Sequence, residues 1–304
     1  MDLLYVKWTF LSTGGSIGDA LFFFISGFTL LLKPIDGIRQ FPNWYKKRIT
    51  RIYPSVFAVA IISCLFFNSH ADIIHIITHG GRWFVSCIMI FYIFIYFIGA
   101  YAKNIIIAFE ILVAILTGLC FCTDFGKDIF LAESHSIYAS HNSIRWLVYF
   151  IFMLFGAHIG IIKDKLSHHW SDILLLIGNI IVFYLCFILG IRLQTLSFLQ
   201  YISIAPMLGI LFYAYKVFSK DKVKTILSKR YIGGIITFIG GLCLEIYLVQ
   251  FYLFTDKMNA IFPLNIIIMF LIILAVAYAT RCLARIILQT FQEQSYDWKK
   301  IIEI

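Results

Sequence analysis

Residues Gly18–Pro54 read GDALFFFISGFTLLLKPIDGIRQFPNWYKKRITRIYP. The stretch begins as an aromatic-rich apolar run with Ser26-Gly27 at its middle. It then turns basic, with Lys33, Arg39, Lys46, Lys47, Arg48 and Arg51 against the single acid Asp36. At Ile52 it becomes apolar again. That order describes a membrane span, a positively charged loop held on the cytoplasmic side, and the start of a second span. Pro54 is expected in the first turn of that second span, where a missing N–H costs least.

The whole chain has the same character. Of its 304 residues, 61% are apolar and 13% charged, with a mean hydropathy of +0.90. Soluble domains carry about 25% charged residues. The apolar runs are continuous rather than alternating, which argues against a β-barrel. The fold class expected is therefore all-α, a polytopic integral-membrane helical bundle in the lipid bilayer. The formal charge of +9 gathers in interspan loops and reads as a topological signal, so no nucleic-acid partner is expected. Cys64, Cys87, Cys120, Cys122, Cys186, Cys243 and Cys282 lie almost all in apolar runs. They lack zinc-type spacing with histidines and read as buried small hydrophobes.

Nine spans are expected: 17–32, 52–68, 83–101, 105–122, 146–162, 173–191, 201–218, 232–254 and 265–288. Each has about the length that crosses ~30 Å of hydrocarbon. Residues 1–16 read as an extracytoplasmic linker, 17–288 as one membrane domain and 289–304 as a cytoplasmic tail. With the 33–51 loop inside, only Lys7, Arg82, Lys127, Arg145, Arg192 and Lys257 of the 25 Lys and Arg fall outside. This orientation puts the C-terminus in the cytoplasm and Met1 outside, and leads to the expectation of a further span ahead of Met1, ten in all.

Ionisable groups within spans are the first functional candidates, because each is costly in hydrocarbon. Asp19, Glu110, His158 and Glu245 are four. For Asp19 a helix N-terminus is an alternative account, since acids are stabilised there. Glu110 and Glu245 either line a polar cavity or pair within the bundle. His158 has the chemistry of a general base, or is a packed histidine. Arg281 and Arg285, near the end of the last span, read as snorkelling cations. His75 and His79 have the i,i+4 spacing of a metal pair, with His70 nearby, but no acid completes a set beyond Asp72, and no metal is expected. Arg48 and Arg51 are three apart, so on a helix they share a face. Two guanidinium forks at a membrane surface suit a phosphate-rich ligand, while plain positive-inside charge or lipid headgroup contact accounts for them equally.

Taken in order, these residues resemble a known family. Phe22-Phe23-Phe24-Ile25-Ser26-Gly27-Phe28 followed by Lys47-Arg48-Ile49-Thr50-Arg51-Ile52-Tyr53-Pro54 resembles the membrane acyltransferase type 3 family. Arg82-Trp83-Phe84 with Tyr92 is similar to its WF…Y helix, and Leu244-Glu245-Ile246-Tyr247-Leu248 to a late helix. The resemblance covers essentially the whole chain. It implies an integral enzyme of the bacterial cytoplasmic (inner) membrane. Such an enzyme moves an acyl group, usually acetyl from acetyl-CoA, to a hydroxyl of a cell-surface polysaccharide or its lipid-linked precursor. Acetyl-CoA would be a co-substrate, with no bound cofactor. Arg48 and Arg51 would bind the acyl-CoA, while Ser26, Gly27, Trp83, Tyr92 and Tyr247 would be motif residues. The family's first helix carries a histidine, whereas no histidine precedes His70 here. The acid expected immediately before Leu21 is Ala20, with Asp19 one step earlier, and Gln250 stands where the late helix often has histidine. His158, Glu245 and Asp19 are therefore the candidate catalytic groups in this sequence. A truncated, inactive relative and a glycan or lipid transporter are the alternative readings.

Overall fold

The computed structural model describes residues 14–33, 35, 37–66, 83–122, 136–138, 143–291 and 296–303. Among them there are helices and no strands, as the composition requires. In chain order the helices are α1 (Gly14–Leu30), α2 (Phe41–Phe66), α3 (Trp83–Tyr101), α4 (Ile106–Cys122), α5 (Ser143–Ile162), α6 (Ser171–Arg192), α7 (Leu199–Ile202), α8 (Ile204–Phe218), α9 (Asp221–Leu227), α10 (Arg230–Gly241), α11 (Cys243–Leu253), α12 (Leu264–Thr290) and α13 (Trp298–Ile302). Seven helical segments among the described residues are long and apolar enough to cross a membrane. The bent pair α10–α11 makes an eighth where it is one span, and α1 is a shorter apolar helix, so seven to eight spans stand among the described residues against the nine read from the sequence.

Two boundaries differ from the sequence reading. The second span is part of a helix that already begins at Phe41, so Pro54 lies in its interior and Pro42 occupies its first turn. The basic run is helical because Trp44, Tyr45 and Arg48 turn one side of it toward the protein, while Lys46, Lys47 and Arg51 remain exposed. Pro54 cannot donate to the carbonyl of Thr50, and the helix continues regardless. The expected straight span 232–254 is broken: α10 and α11 meet at Leu242 with a bend of 64°. Gly240 and Gly241 precede the break, and two successive glycines are the weakest helix formers short of proline. The cysteines also depart from expectation. Cys87 is buried, but Cys64, Cys122 and Cys243 are exposed, because they sit on outward sides of apolar helices where lipid serves as well as a core.

The chain divides into two compact units, one of residues 1–39 and 93–224, the other of residues 40–92 and 225–304. In the first, α1 and α5 run parallel and are packed backbone to backbone. A Cβ placed on Gly27 would lie 1.9 Å from the Met153 carbonyl oxygen. One on Gly156 would lie 2.0 Å from the Phe24 oxygen, and one on Gly160 2.7 Å from the Phe28 oxygen. Gly156 and Gly160 form a small-xxx-small pair, the device by which helices in lipid gain contact without a hydrophobic driving force. Around this seam Phe23 stacks on Tyr149 at 5.1 Å, and Tyr138 meets Phe183 at 5.8 Å and Phe187 at 5.6 Å. The Tyr138 segment is pinned by Gln200, which accepts from the Ile137 N–H at 2.9 Å and donates to the Gly190 carbonyl at 3.0 Å.

In the second unit, α2, α11 and α12 form a three-helix core. Its inward residues are small or branched: Ser55, Val56 and Val59 on α2, Leu248 and Val249 on α11, Ala277, Thr280 and Ala284 on α12. At its far end α13 folds back on α12. Arg285 donates to the carbonyls of Lys300, Ile301 and Glu303, and Tyr278 to that of Ile302 at 3.0 Å. Arg285 is therefore not a snorkelling cation but the C-terminal cap of α13, where a positive charge meets the helix dipole.

The α1–α5 seam gives a direct test. Gly27→Ala is expected to force the two backbones apart and to cost about 1–3 kcal/mol, read as a lower unfolding temperature of the purified protein in detergent. Gly18→Ala, on the same helix with nothing within 4 Å of the added carbon, should not lower that temperature and should raise it slightly, because alanine is the better helix former.

Candidate functional site

Three of the four sequence motifs meet in the second unit. Arg48, on the basic turn of α2, lies over the Trp44 ring at 4.6 Å and within 5.9 Å of the Tyr92 ring on α3. Trp44 and Tyr92 are themselves edge to face at 6.1 Å. A guanidinium held between two aromatic faces keeps its charge while losing side-chain freedom, which prepares it for a fork-shaped contact with an anion. Its Nε is buried and has no hydrogen-bond partner among the described residues. Arg51 lies on the same helix one turn on, but exposed. The two arginines thus differ: Arg48 is fixed and half-buried, Arg51 free to reach.

Deeper along α2, Ser55 is buried and donates to Glu245 Oε1 at 2.5 Å. Arg281 of α12 donates from Nη1 to the same oxygen at 3.0 Å. Glu245 is 0% exposed. The break at Leu242 explains how a carboxylate is sustained there. It starts a new helix, and Glu245 falls in its first turn, where the N-terminal end of the helix dipole favours negative charge. Three sources thus stabilise the charge: a hydroxyl, a guanidinium and a helix N-terminus. Glu245 Oε2 is buried and without a hydrogen-bond partner among the described residues. Arg281 is drawn inward by this carboxylate, which corrects its reading as a snorkelling cation.

The motif aromatics frame the same region. Phe84 packs on Tyr247 at 4.8 Å, with Trp83 edge to face against Phe84 at 5.9 Å and Tyr247 against Phe251 at 5.4 Å. One turn beyond the Glu245 centre, on the side away from Arg48, lies a small apolar crevice lined by Val59, Ile62, Val249, Tyr252 and Val276.

The remaining candidates belong to the first unit. Gly27 serves the α1–α5 seam described above, and the carbonyl of Ser26 accepts from Thr29 Oγ1 at 3.1 Å. Asp19 lies within electrostatic reach of Arg145, a buried residue at the start of α5. His158 is half-buried between the two seam glycines Gly156 and Gly160. Because Phe24 is level with Gly156 and Phe28 with Gly160, Asp19 and His158 stand about seven residues apart along the helix axes. That is roughly 10 Å, so they do not form one site. Glu110 is half-buried on the α4 face that carries Ile106, Val113 and Thr117, and makes no ion pair among the described residues. His70, His75 and His79 lie outside the described residues. Among the described residues no three metal-type side chains gather.

A second charged cluster was not legible in the sequence. Asp172, 1% exposed at the start of α6, is paired with Lys216 Nζ at 2.6 Å and Lys220 Nζ at 3.6 Å, and accepts from the His169 N–H at 2.8 Å. Lys216 and Lys220 look like ordinary topological charges, and only the pairing of α6 with α8 shows otherwise.

A family model described as an acyltransferase domain matches residues 2–282. The chain therefore belongs to the membrane acyltransferase type 3 family. No curated protein and no solved structure matches it.

Removing Lys216 leaves the buried Asp172 with only the longer Lys220 pair and the His169 N–H among the described residues. Lys216→Met should lower stability by about 3 kcal/mol, and the double variant Lys216→Met with Asp172→Asn should recover most of it. Thermal unfolding of the two proteins in the same detergent reads the difference.

Proposed function

We propose that this protein is a membrane O-acyltransferase. It would transfer an acyl group, acetyl in the first instance, from acyl-CoA to a hydroxyl of a cell-surface polysaccharide or its lipid-linked precursor. Family membership supports acyl transfer in general. The observation that carries the finer reading is the convergence of the Arg48, Tyr92 and Glu245 motifs in one unit, with a prepared arginine near one end of α2 and, further along it, Ser55 bonded to the buried carboxylate of Glu245 on α11.

Acyl-CoA offers a matching set of groups. Its phosphates are the multiply charged anions that guanidinium forks bind best. Arg48, braced by Trp44 and Tyr92, would fix one phosphate, and exposed Arg51 would close on another. On the positive-inside rule the basic end of α2 and the C-terminus would lie on the cytoplasmic side of a bacterial inner membrane, the side that holds the acyl-CoA pool. In the reaction the acceptor hydroxyl attacks the thioester carbonyl and the CoA thiol leaves. No bound cofactor enters this scheme.

Arg48→Ala and Arg51→Ala are expected to abolish glycan acetylation in cells while membrane insertion stays intact. In membranes, loss of one charge-assisted contact worth about 1.5–3 kcal/mol should raise the KM for acetyl-CoA about 10- to 100-fold. Full acetylation of the glycan in either variant would remove that arginine from the site.

A further inference from the structure

We propose that Glu245 is the proton acceptor for the attacking hydroxyl, with Arg281 and Ser55 as its positioning residues. The inference rests on the acyl-transfer reading above and assigns the chemistry of that site.

The first observation is the asymmetry of the carboxylate. Ser55 and Arg281 both bind Oε1, at 2.5 and 3.0 Å. Oε2 is buried and has no donor among the described residues. A buried acceptor left without a donor costs about 1–3 kcal/mol, and such groups in native proteins call for an explanation. A hydroxyl delivered by the acceptor substrate supplies the missing donor. The satisfied oxygen fixes the orientation of the group and pairs it with the Arg281 guanidinium. The bare oxygen is the one that reacts.

The second observation is the position along α2. Arg48 and Ser55 are seven residues apart, a rise of about 10 Å. If Arg48 holds a phosphate of CoA, the pantetheine arm has to travel in this direction to bring the thioester to Ser55 and Glu245. The crevice of Val59, Val249 and Val276, one turn further, then offers an apolar place for the acyl methyl. Phosphate clamp, carboxylate and apolar crevice thus follow one another in the order of the donor's own chemistry.

The third observation is exclusion of water. Glu245 is fully buried. A base that activates a sugar hydroxyl beside a thioester must not activate water, or the donor is hydrolysed. In the second unit, Glu245 is the one carboxylate within a span among the described residues.

The step balances without a further reagent. The hydroxyl O–H bond breaks as the new O–C bond forms, and Glu245 Oε2 takes the proton. The tetrahedral intermediate expels the CoA thiolate by breaking the C–S bond. The protonated Glu245 then returns its proton to the thiolate, which leaves as the thiol, and the carboxylate is restored. Nothing is oxidised or reduced.

The test uses the full chain in membranes of the strain that encodes it, with the chromosomal copy deleted. Label from [14C]acetyl-CoA is counted as hydroxylamine-labile ester, and acetyl-CoA binding is measured on the purified protein in detergent. Glu245→Gln is expected to lower kcat about 100-fold or more while acetyl-CoA binding stays at the wild-type value. Glu245→Asp should retain part of the rate. Ser55→Ala, which leaves the ion pair in place, should lower kcat about 10-fold without changing the KM for acetyl-CoA. Wild-type rates in Glu245→Gln overturn the inference. So does a joint loss of binding and transfer in a folded variant, which would make Glu245 a donor-binding or structural group. If Glu245→Gln does not fold, an unaltered kcat in Ser55→Ala overturns it instead. Failure of the wild-type chain to incorporate any label overturns the acyl-transfer reading itself, and is thereby distinct from these results.

Discussion

A carboxylate inside a membrane protein has to be neutralised where it stands. Transfer of an isolated charge into a medium of low dielectric costs far more than any single contact returns. Glu245 is such a group, and the second unit is arranged around its needs. Arg281 has to enter from α12, Ser55 has to present its hydroxyl from α2, and the chain has to end one helix and begin another at Leu242. Each requirement constrains a different helix. Together they fix the mutual rotation of α2, α11 and α12 more sharply than apolar packing could, because a Val or Leu contact tolerates slippage that a guanidinium on a carboxylate does not.

The first unit is held on another principle. Its tightest seam has no charge, only the absence of side chains at Gly27, Gly156 and Gly160. In lipid, apolar groups gain nothing by leaving solvent, so close approach of backbones and dispersion contact must supply the attraction. This gives the Ser26-Gly27 motif a structural meaning. The glycine is required by the carbonyl of Met153 opposite it, and the aromatic run before it supplies Phe23 for the Tyr149 stack. The Asp172 cluster is an exception within this unit. It ties the start of α6 to the end of α8 through Lys216, near a helix end where lysine stems can extend toward water.

Most of the architecture was legible in the sequence because a span is a property of a long window, and summed hydropathy is robust to local error. What escaped were features decided by single residues against that background. The break after Gly240-Gly241 is too local to disturb a window average. Pro54 carries a strong local signal that pointed to a helix start, but Trp44, Tyr45 and Arg48 had already begun the helix because they have partners on α3, such as the Met89 carbonyl that accepts from Tyr45 at 3.3 Å. Arg281 and Arg285 sat at the expected depth for snorkelling. Their true partners, Glu245 and the carbonyls of α13, are 36 residues earlier and 15–18 later in the chain. No periodicity encodes pairings of that kind. Arg48 and Glu245 were legible as residues, but their place on one helix path was not.

The convergence of motifs also separates two kinds of sequence signal that looked alike. Phe22–Phe28 and Lys47–Pro54 are equally sharp as strings, and both helped to identify the family. In the structure packing accounts for the first: Phe23, Phe24 and Gly27 meet the α1–α5 seam, and Phe28 packs on Tyr215 of α8. It does not account for the second: packing explains Ile52, but not why Arg48 should be stacked between Trp44 and Tyr92 with its Nε unpartnered among the described residues. Nor does packing explain why Glu245 should keep one oxygen bare when an amide or apolar residue would fill the same volume at lower cost. Unmet hydrogen-bonding capacity at Arg48 of α2 and at Glu245 of α11, which meets α2 at Ser55, is a cost that folding alone does not require. A ligand with an anionic head and a reactive, hydroxyl-seeking end is the simplest thing that would require it.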